Sequence, residues 1–157
     1  MQGRADGGNG KSIQSEDCLR VNVITPANAK NLPVYVYIYG GGFNSGSSSD
    51  LKIDGTYLAA KEIVFASFNY RLSLFAWPHA AEIAEAGETQ NFGLLDTRAA
   101  VEWVVQNVKQ FGGDPTKIAL GGDSVGAGVL SITAFGIEEF TDVERDGDDK
   151  LLLDCIS

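Results

Sequence analysis

Ser124 lies in Gly122-Asp123-Ser124-Val125-Gly126, behind the apolar run Lys117-Ile118-Ala119-Leu120-Gly121 and ahead of a segment of helical character. A serine hydroxyl attacks a carbonyl only when it stands clear of its own backbone. A strand turning sharply into a helix achieves this, and the crowding at such a nucleophile elbow demands glycine two residues before and two after. Asp123, just ahead of the serine, has two readings. It is electrostatic support for a histidinium formed during proton transfer, or a strand-end carboxylate satisfied by local hydrogen bonds.

A second constellation lies far upstream, where Leu32-Pro33-Val34-Tyr35-Val36-Tyr37-Ile38-Tyr39 runs into Gly40-Gly41-Gly42-Phe43. Aromatic and β-branched residues predict a strand, with Pro33 tolerated at its start. The glycines leave backbone N–H groups uncovered, able to approach the oxygen of a tetrahedral intermediate. The rival readings are a flexible loop and a phosphate cradle. Against the cradle, Gly40-Gly41-Gly42-Phe43-Asn44-Ser45 lacks the third glycine of a dinucleotide fingerprint, and no Gly-Lys-Ser/Thr follows.

Several further motifs share an order with these two. Glu16-Asp17-Cys18-Leu19-Arg20-Val21-Asn22-Val23-Ile24-Thr25-Pro26, Asn69-Tyr70-Arg71-Leu72, Asn91-Phe92-Gly93-Leu94-Leu95-Asp96 and Phe111-Gly112-Gly113-Asp114-Pro115 through Gly126 make the chain resemble the type-B carboxylesterases. That family includes cholinesterases and lipases on the α/β-hydrolase fold, and the resemblance runs from about residue 15 to about residue 135. It implies Ser124 as nucleophile and the amides of Gly41, Gly42 and Val125 as oxyanion donors. Three positions depart from the family pattern: Arg20 replaces an aromatic or small residue, Tyr39 a frequent histidine, and Val125 a small residue. Valine still supplies the N–H, but its stiff branched side chain crowds an acyl group.

The resemblance also implies a histidine and an acid after the serine. No histidine follows Ser124; the single one, His79, is upstream in Trp77-Pro78-His79 and reads as an exposed loop residue. The carboxylates that do follow, among them Glu138, Asp142 and Asp146, have no base to orient. The expectation is therefore a single incomplete domain over 1–157: a partial α/β-hydrolase fold, mostly parallel sheet with flanking helices, truncated after the elbow. By resemblance the function is a serine carboxylic-ester hydrolase, carboxylesterase- or lipase-like. The alternatives are a cholinesterase-like binding module without turnover and a truncated, inactive product.

Composition sets the partners. A net charge of −9 and a pI near 4.4 disfavour nucleic acid and anionic membranes, and leave a small neutral carboxylic ester as the expected ligand. No run is long enough to span a bilayer, and the polar, glycine-rich stretch 1–15 reads as a loose arm rather than a signal peptide. The family resemblance makes a secreted full-length parent plausible, while localisation and oligomeric state stay open. One histidine and two scattered cysteines give no metal site, and no cofactor is expected. In the family, Cys18 pairs with an upstream cysteine; residues 1–17 contain none, leaving Cys155 as its only partner within the chain. The acidic run from Glu138 to Asp149 lacks EF-hand spacing and reads as a solvated loop.

Alternation supplies the elements that position these motifs. Strands are expected over Leu19–Ile24, Val34–Tyr39 and Ile63–Phe68, with a short helix and loop from Pro78 to Gln90. A long helix capped by Asn91 places Leu94, Val101, Val104, Val105 and Val108 on one face and stops at Gly112-Gly113. Asp114-Pro115 then turns the chain into the elbow strand, and the helix behind the elbow ends near Gly136.

Overall fold

The computed structural model describes residues 2–4, 13–87 and 89–136. Its centre is a sheet of four strands, β3 (Val21–Ile24), β4 (Leu32–Ile38), β5 (Val64–Phe68) and β6 (Gly113–Gly122), in the order β3-β5-β4-β6. β3 pairs antiparallel with β5, whereas β4 runs parallel to both β5 and β6. Parallel neighbours need long crossovers. α1 (Thr56–Ala59) lies in the crossover from β4 to β5, and α2 (Ala81–Glu85) and α3 (Phe92–Asn107) lie in that from β5 to β6. α4 (Val125–Gly136) follows the elbow and ends where the sequence predicts.

A separate pair, β1 (Gln2–Arg4) and β2 (Ile13–Ser15), joins antiparallel with Gln2 opposite Ser15. The loose arm expected for residues 1–15 is therefore corrected for these two segments. A three-residue pairing held by backbone bonds is too short for alternation to announce it.

The core follows from side-chain period. Val34, Val36 and Ile38 cluster with Val64, Ala66 and Phe68 and with Ala100, Val101, Val104 and Val108 from the α3 region. The alternate residues Tyr35 and Tyr37 meet Phe65 instead, at ring-centroid distances of 6.3 and 6.4 Å. β5 is buried at every position because it has a strand on either side and helices over the sheet. In α3 the buried face is Gly93, Asp96, Thr97, Ala100, Val101 and Val104. Val105 is exposed, contrary to expectation, because each residue turns the helix by about 100° and Val104 already points inward. Asn91 precedes the helix but its side chain makes no capping bond.

Two polar ties brace the crossovers. The Arg71 guanidinium donates from Nε to Asp96 Oδ2 and from Nη2 to Asp96 Oδ1, both at 2.7 Å, and the Arg71 amide adds a 2.9 Å bond to Oδ2. This fork joins the Asn69-Tyr70-Arg71-Leu72 motif to the motif ending at Asp96. Hydrogen bonding to Asp96 raises the Arg71 pKa, and the guanidinium also lies 4.8 Å from the Phe92 ring centroid. Between the ends of β4 and β5, Tyr39 and Tyr70 stack at 4.7 Å, and the Tyr70 hydroxyl donates to the Tyr39 carbonyl at 2.7 Å. Tyrosine thus fits the place where the family often has histidine, and burial pushes the Tyr70 hydroxyl up to about 12.

Asp114-Pro115 makes a turn, but inside β6 rather than before it. Leu32 pairs with Gly113 and Val34 with Ile118, so the extra residues on β6 bulge out of the ladder. Asp114 Oδ1 accepts from the Thr116 hydroxyl at 2.7 Å and amide at 3.0 Å, while Lys117 Nζ lies 2.9 Å from Oδ2. The Thr116 hydroxyl bond, with the Lys117 and Thr116 amide bonds behind it, lowers the Asp114 pKa from 3.8 to about 2. A depressed carboxylate contributes stability that is complete above its unfolded pKa and is lost as pH falls through its folded one. Urea unfolding should therefore show an acid-side loss of stability between about pH 4 and pH 2 that is smaller in Asp114→Asn than in the parent. Equal losses in the two proteins would contradict the role given to this bulge.

Candidate active site

In an open parallel sheet, a crevice forms at the carboxyl ends of two adjacent strands whose following connections leave in opposite directions. β4 and β6 are parallel neighbours whose carboxyl ends lie side by side: β4 leads across to β5, and β6 leads into α4. The glycine loop leaves the end of β4 and the elbow leaves the end of β6. The register sets Ile38 opposite Gly122, so topology brings the two predicted constellations together.

Contact between them is closer than any side chain at position 40 permits. A Cβ on Gly40 would lie 2.7 Å from the Asp123 carbonyl oxygen and 3.0 Å from Ser124 Cβ. Gly122 and Gly126 face the same restriction. A Cβ on Gly122 would lie 2.7 Å from the Ile38 carbonyl, and one on Gly126 would run into that same oxygen. Between these glycines Ser124 adopts φ 50°, a left-handed conformation costing an L-residue roughly 1–2 kcal/mol, and its side chain is exposed. The turn closes with Gly126 N–H donating to Asp123 O at 2.7 Å. The elbow geometry read from the sequence is present.

Asp123 takes a form that neither expectation described. Its Oδ1 accepts from the Gly40 amide and from the Tyr37 hydroxyl, each at 2.8 Å. These partners are distant in sequence, so the carboxylate is a tie between β4, the glycine loop and the elbow rather than a locally satisfied strand end. Burial first, then the bond to Asp123, pushes the Tyr37 hydroxyl up to about 12, which keeps it a donor at neutral pH. Tyr37 was missed in the sequence, where its alternation with buried valines marked it as strand and nothing more.

The loop itself turns on the Gly41 carbonyl, which accepts from the Ser45 amide at 3.0 Å, the Ser45 hydroxyl at 2.9 Å and the Asn44 amide at 3.3 Å. Gly41 and Gly42 have φ of 131° and 63°. Among the described residues, no acceptor is bonded to the amides of Gly41, Gly42 or Val125. Val125 is the first residue of α4, where a helix leaves its N–H groups unpaired.

The other expected features fall elsewhere. His79 is exposed in the stretch between the 3-10 turn Ser73–Phe75 and α2. Cys18 is half-buried, and burial, reinforced by Asp96, raises its thiol pKa; Cys155 and the acidic run lie outside the described residues. Among the described residues no group of His, Cys, Asp and Glu is arranged to hold a metal, and no helix is long and apolar enough to cross a membrane. A cavity of about 550 Å³ runs along β3, lined by Asn22, Ser48, Ser49, Ile53 and Ser67, and holds none of the predicted site residues.

A serine elbow facing a glycine loop at the carboxyl ends of neighbouring parallel strands is the arrangement of an α/β-hydrolase. The chain belongs to the carboxylesterase family, whose pattern matches residues 1–137. It is 47% identical over 123 residues to a para-nitrobenzyl esterase of Bacillus subtilis, covering 77% of this chain and 24% of that protein. It is 48% identical over 122 residues to an acetylcholinesterase of Electrophorus electricus, covering 76% of this chain and 19% of that enzyme. A solved PNB esterase superposes with a TM-score of 0.73 at 41% identity, over 82% of this chain and 28% of the esterase. The fold is thus a partial α/β-hydrolase fold, and the chain spans 19–28% of the length of these relatives.

The two loop glycines are not equivalent. A Cβ on Gly41 would collide with the Ser45 backbone carbonyl, whereas one on Gly42 meets nothing within 4 Å. At Gly42 the cost of a side chain is conformational, set by its φ of 63°. Gly42→Ala should cost about 1 kcal/mol in urea unfolding and Gly41→Ala about 2–3 kcal/mol. Equal losses, or a larger one at Gly42, would contradict this loop geometry.

Proposed function

We propose that this sequence forms the nucleophile-bearing part of a serine carboxylic-ester hydrolase, carboxylesterase- or lipase-like. The observation that carries the reading is the left-handed, exposed Ser124 pressed against a glycine loop with uncommitted amides. In the proposed reaction Ser124 Oγ attacks the ester carbonyl and its proton passes to a histidine. The C–O bond to the alcohol then breaks, the alcohol leaving with that proton, and water hydrolyses the acyl-enzyme. The Gly41, Gly42 and Val125 amides donate to the carbonyl oxygen as it becomes anionic, the term that usually lowers such barriers most. The Asp123 side chain ties the loop to the elbow and is proposed to support the histidinium electrostatically.

The reading assigns the histidine and the third triad member to the portion of the relatives' length that residues 1–157 do not span. The domain is accordingly proposed to be incomplete over 1–157. Small carboxylic esters are the proposed substrates, in keeping with relatives named for para-nitrobenzyl and acetylcholine esters. The non-catalytic binding module is the weaker alternative, since the nucleophile and its glycines are retained.

In the full-length parent, Ser124→Ala should lower hydrolysis of a short-chain aryl ester roughly 10³- to 10⁶-fold and abolish fluorophosphonate labelling. Near-normal turnover in that variant would remove Ser124 as nucleophile. A parent that neither turns over nor labels would favour the binding module. Residues 1–157 alone should show no sustained turnover, in the parent sequence and in His79→Ala alike.

A further inference from the structure

Phe43, which closes the glycine loop, is the third consecutive residue with positive φ, at 67°, after Gly41 and Gly42. Unlike the glycines it has a Cβ, and a left-handed L-residue persists only where its surroundings over-determine it. They do so from one short segment. The Phe43 carbonyl accepts from the Ser73 amide at 2.8 Å and faces the Trp77 indole N–H at 3.4 Å, while the two rings meet edge to face at 5.2 Å with an 87° interplanar angle. Ser73 is itself left-handed, at φ 56°.

Trp77 is anchored from behind. It packs against the core, and its ring fills the space over Gly93, where any Cβ would strike it. The Gly93 amide donates to the Ala76 carbonyl at 3.3 Å, and the Arg71–Asp96 fork pins the start of the same turn to α3. A continuous path of contacts thus runs from α3 through Trp77 to Phe43 and the glycine loop.

The geometry points to Trp77 as a positioning residue that holds the Gly41-Gly42-Phe43 backbone in its donor-presenting conformation through ring packing on Phe43. The ring carries this role rather than the indole N–H, whose 3.4 Å separation lies beyond the usual range of about 2.7–3.2 Å. Its meaning for catalysis rests on the proposed ester-hydrolase reading, but its structural content does not.

Amide hydrogen exchange of the ¹⁵N-labelled chain followed by NMR tests it without any need for turnover. The reporters are the amides of Ser73, bonded to Phe43 O, and Ser45, bonded to Gly41 O, with the intraresidue Hα–HN NOE of Phe43 marking positive φ. In Trp77→Ala, exchange at Ser73 and Ser45 should rise about tenfold or more and the Phe43 NOE should weaken, while the strand amides of Val36 and Ala66 keep their rates. Trp77→Phe, which retains a ring and loses the N–H, should restore both reporters. Unchanged loop exchange in Trp77→Ala overturns the proposal. So does acceleration that is equal across the strands, or a failure of Trp77→Ala to fold, because Trp77 is then a core residue only. Failure of Trp77→Phe to restore the loop overturns it too. Ser124→Ala should leave all these reporters unchanged, so the two readings fail separately.

Discussion

The end of β4 and the elbow approach so closely that no side chain fits at three of their positions. Gly40, Gly122 and Gly126 are the residues that make this contact possible, and each would drive a Cβ into a backbone atom of the opposite segment. The parallel register of β4 with β6 fixes where the segments meet, and the Asp123 carboxylate then joins them through Gly40 and Tyr37. A left-handed serine beside open amides is the consequence. Had either strand slipped by one residue, every inward side chain would turn outward and the loop would face a different part of the elbow.

The strain at Ser124 and Phe43 has to be offset by the surrounding structure. The relevant ties involve the segments that follow β4 and β5 and the start of α3: the Arg71–Asp96 fork, the Tyr39–Tyr70 stack and the Phe43–Trp77 contact. Asp96 is almost fully buried, so breaking the fork would leave an uncompensated charge, at a cost of order 3–5 kcal/mol.

The strands, α3, α4 and the elbow were legible because period and glycine spacing are local signals, and the order of motifs carried the family. What the sequence hid was longer in range or shorter in extent. The bridging role of Asp123 was hidden because its partners Tyr37 and Gly40 come from a distant strand and the loop behind it. Val105 read as core because a stripe of valines marks a face only approximately, and small residues at 93, 97 and 100 took the inner positions instead. The β1–β2 pairing has too few residues to carry a pattern. Asp114-Pro115 read as a turn before a strand, and the bulge places that turn within it.

The most direct measurement of the central claim is a crystal structure of the full-length parent after reaction with an alkyl fluorophosphonate, whose tetrahedral adduct mimics the acylation intermediate. The account predicts phosphorus bonded to Ser124 Oγ, with the phosphoryl oxygen about 2.7–3.1 Å from the amides of Gly41, Gly42 and Val125. An adduct on another residue would contradict it. So would one on Ser124 whose phosphoryl oxygen turns away from all three amides.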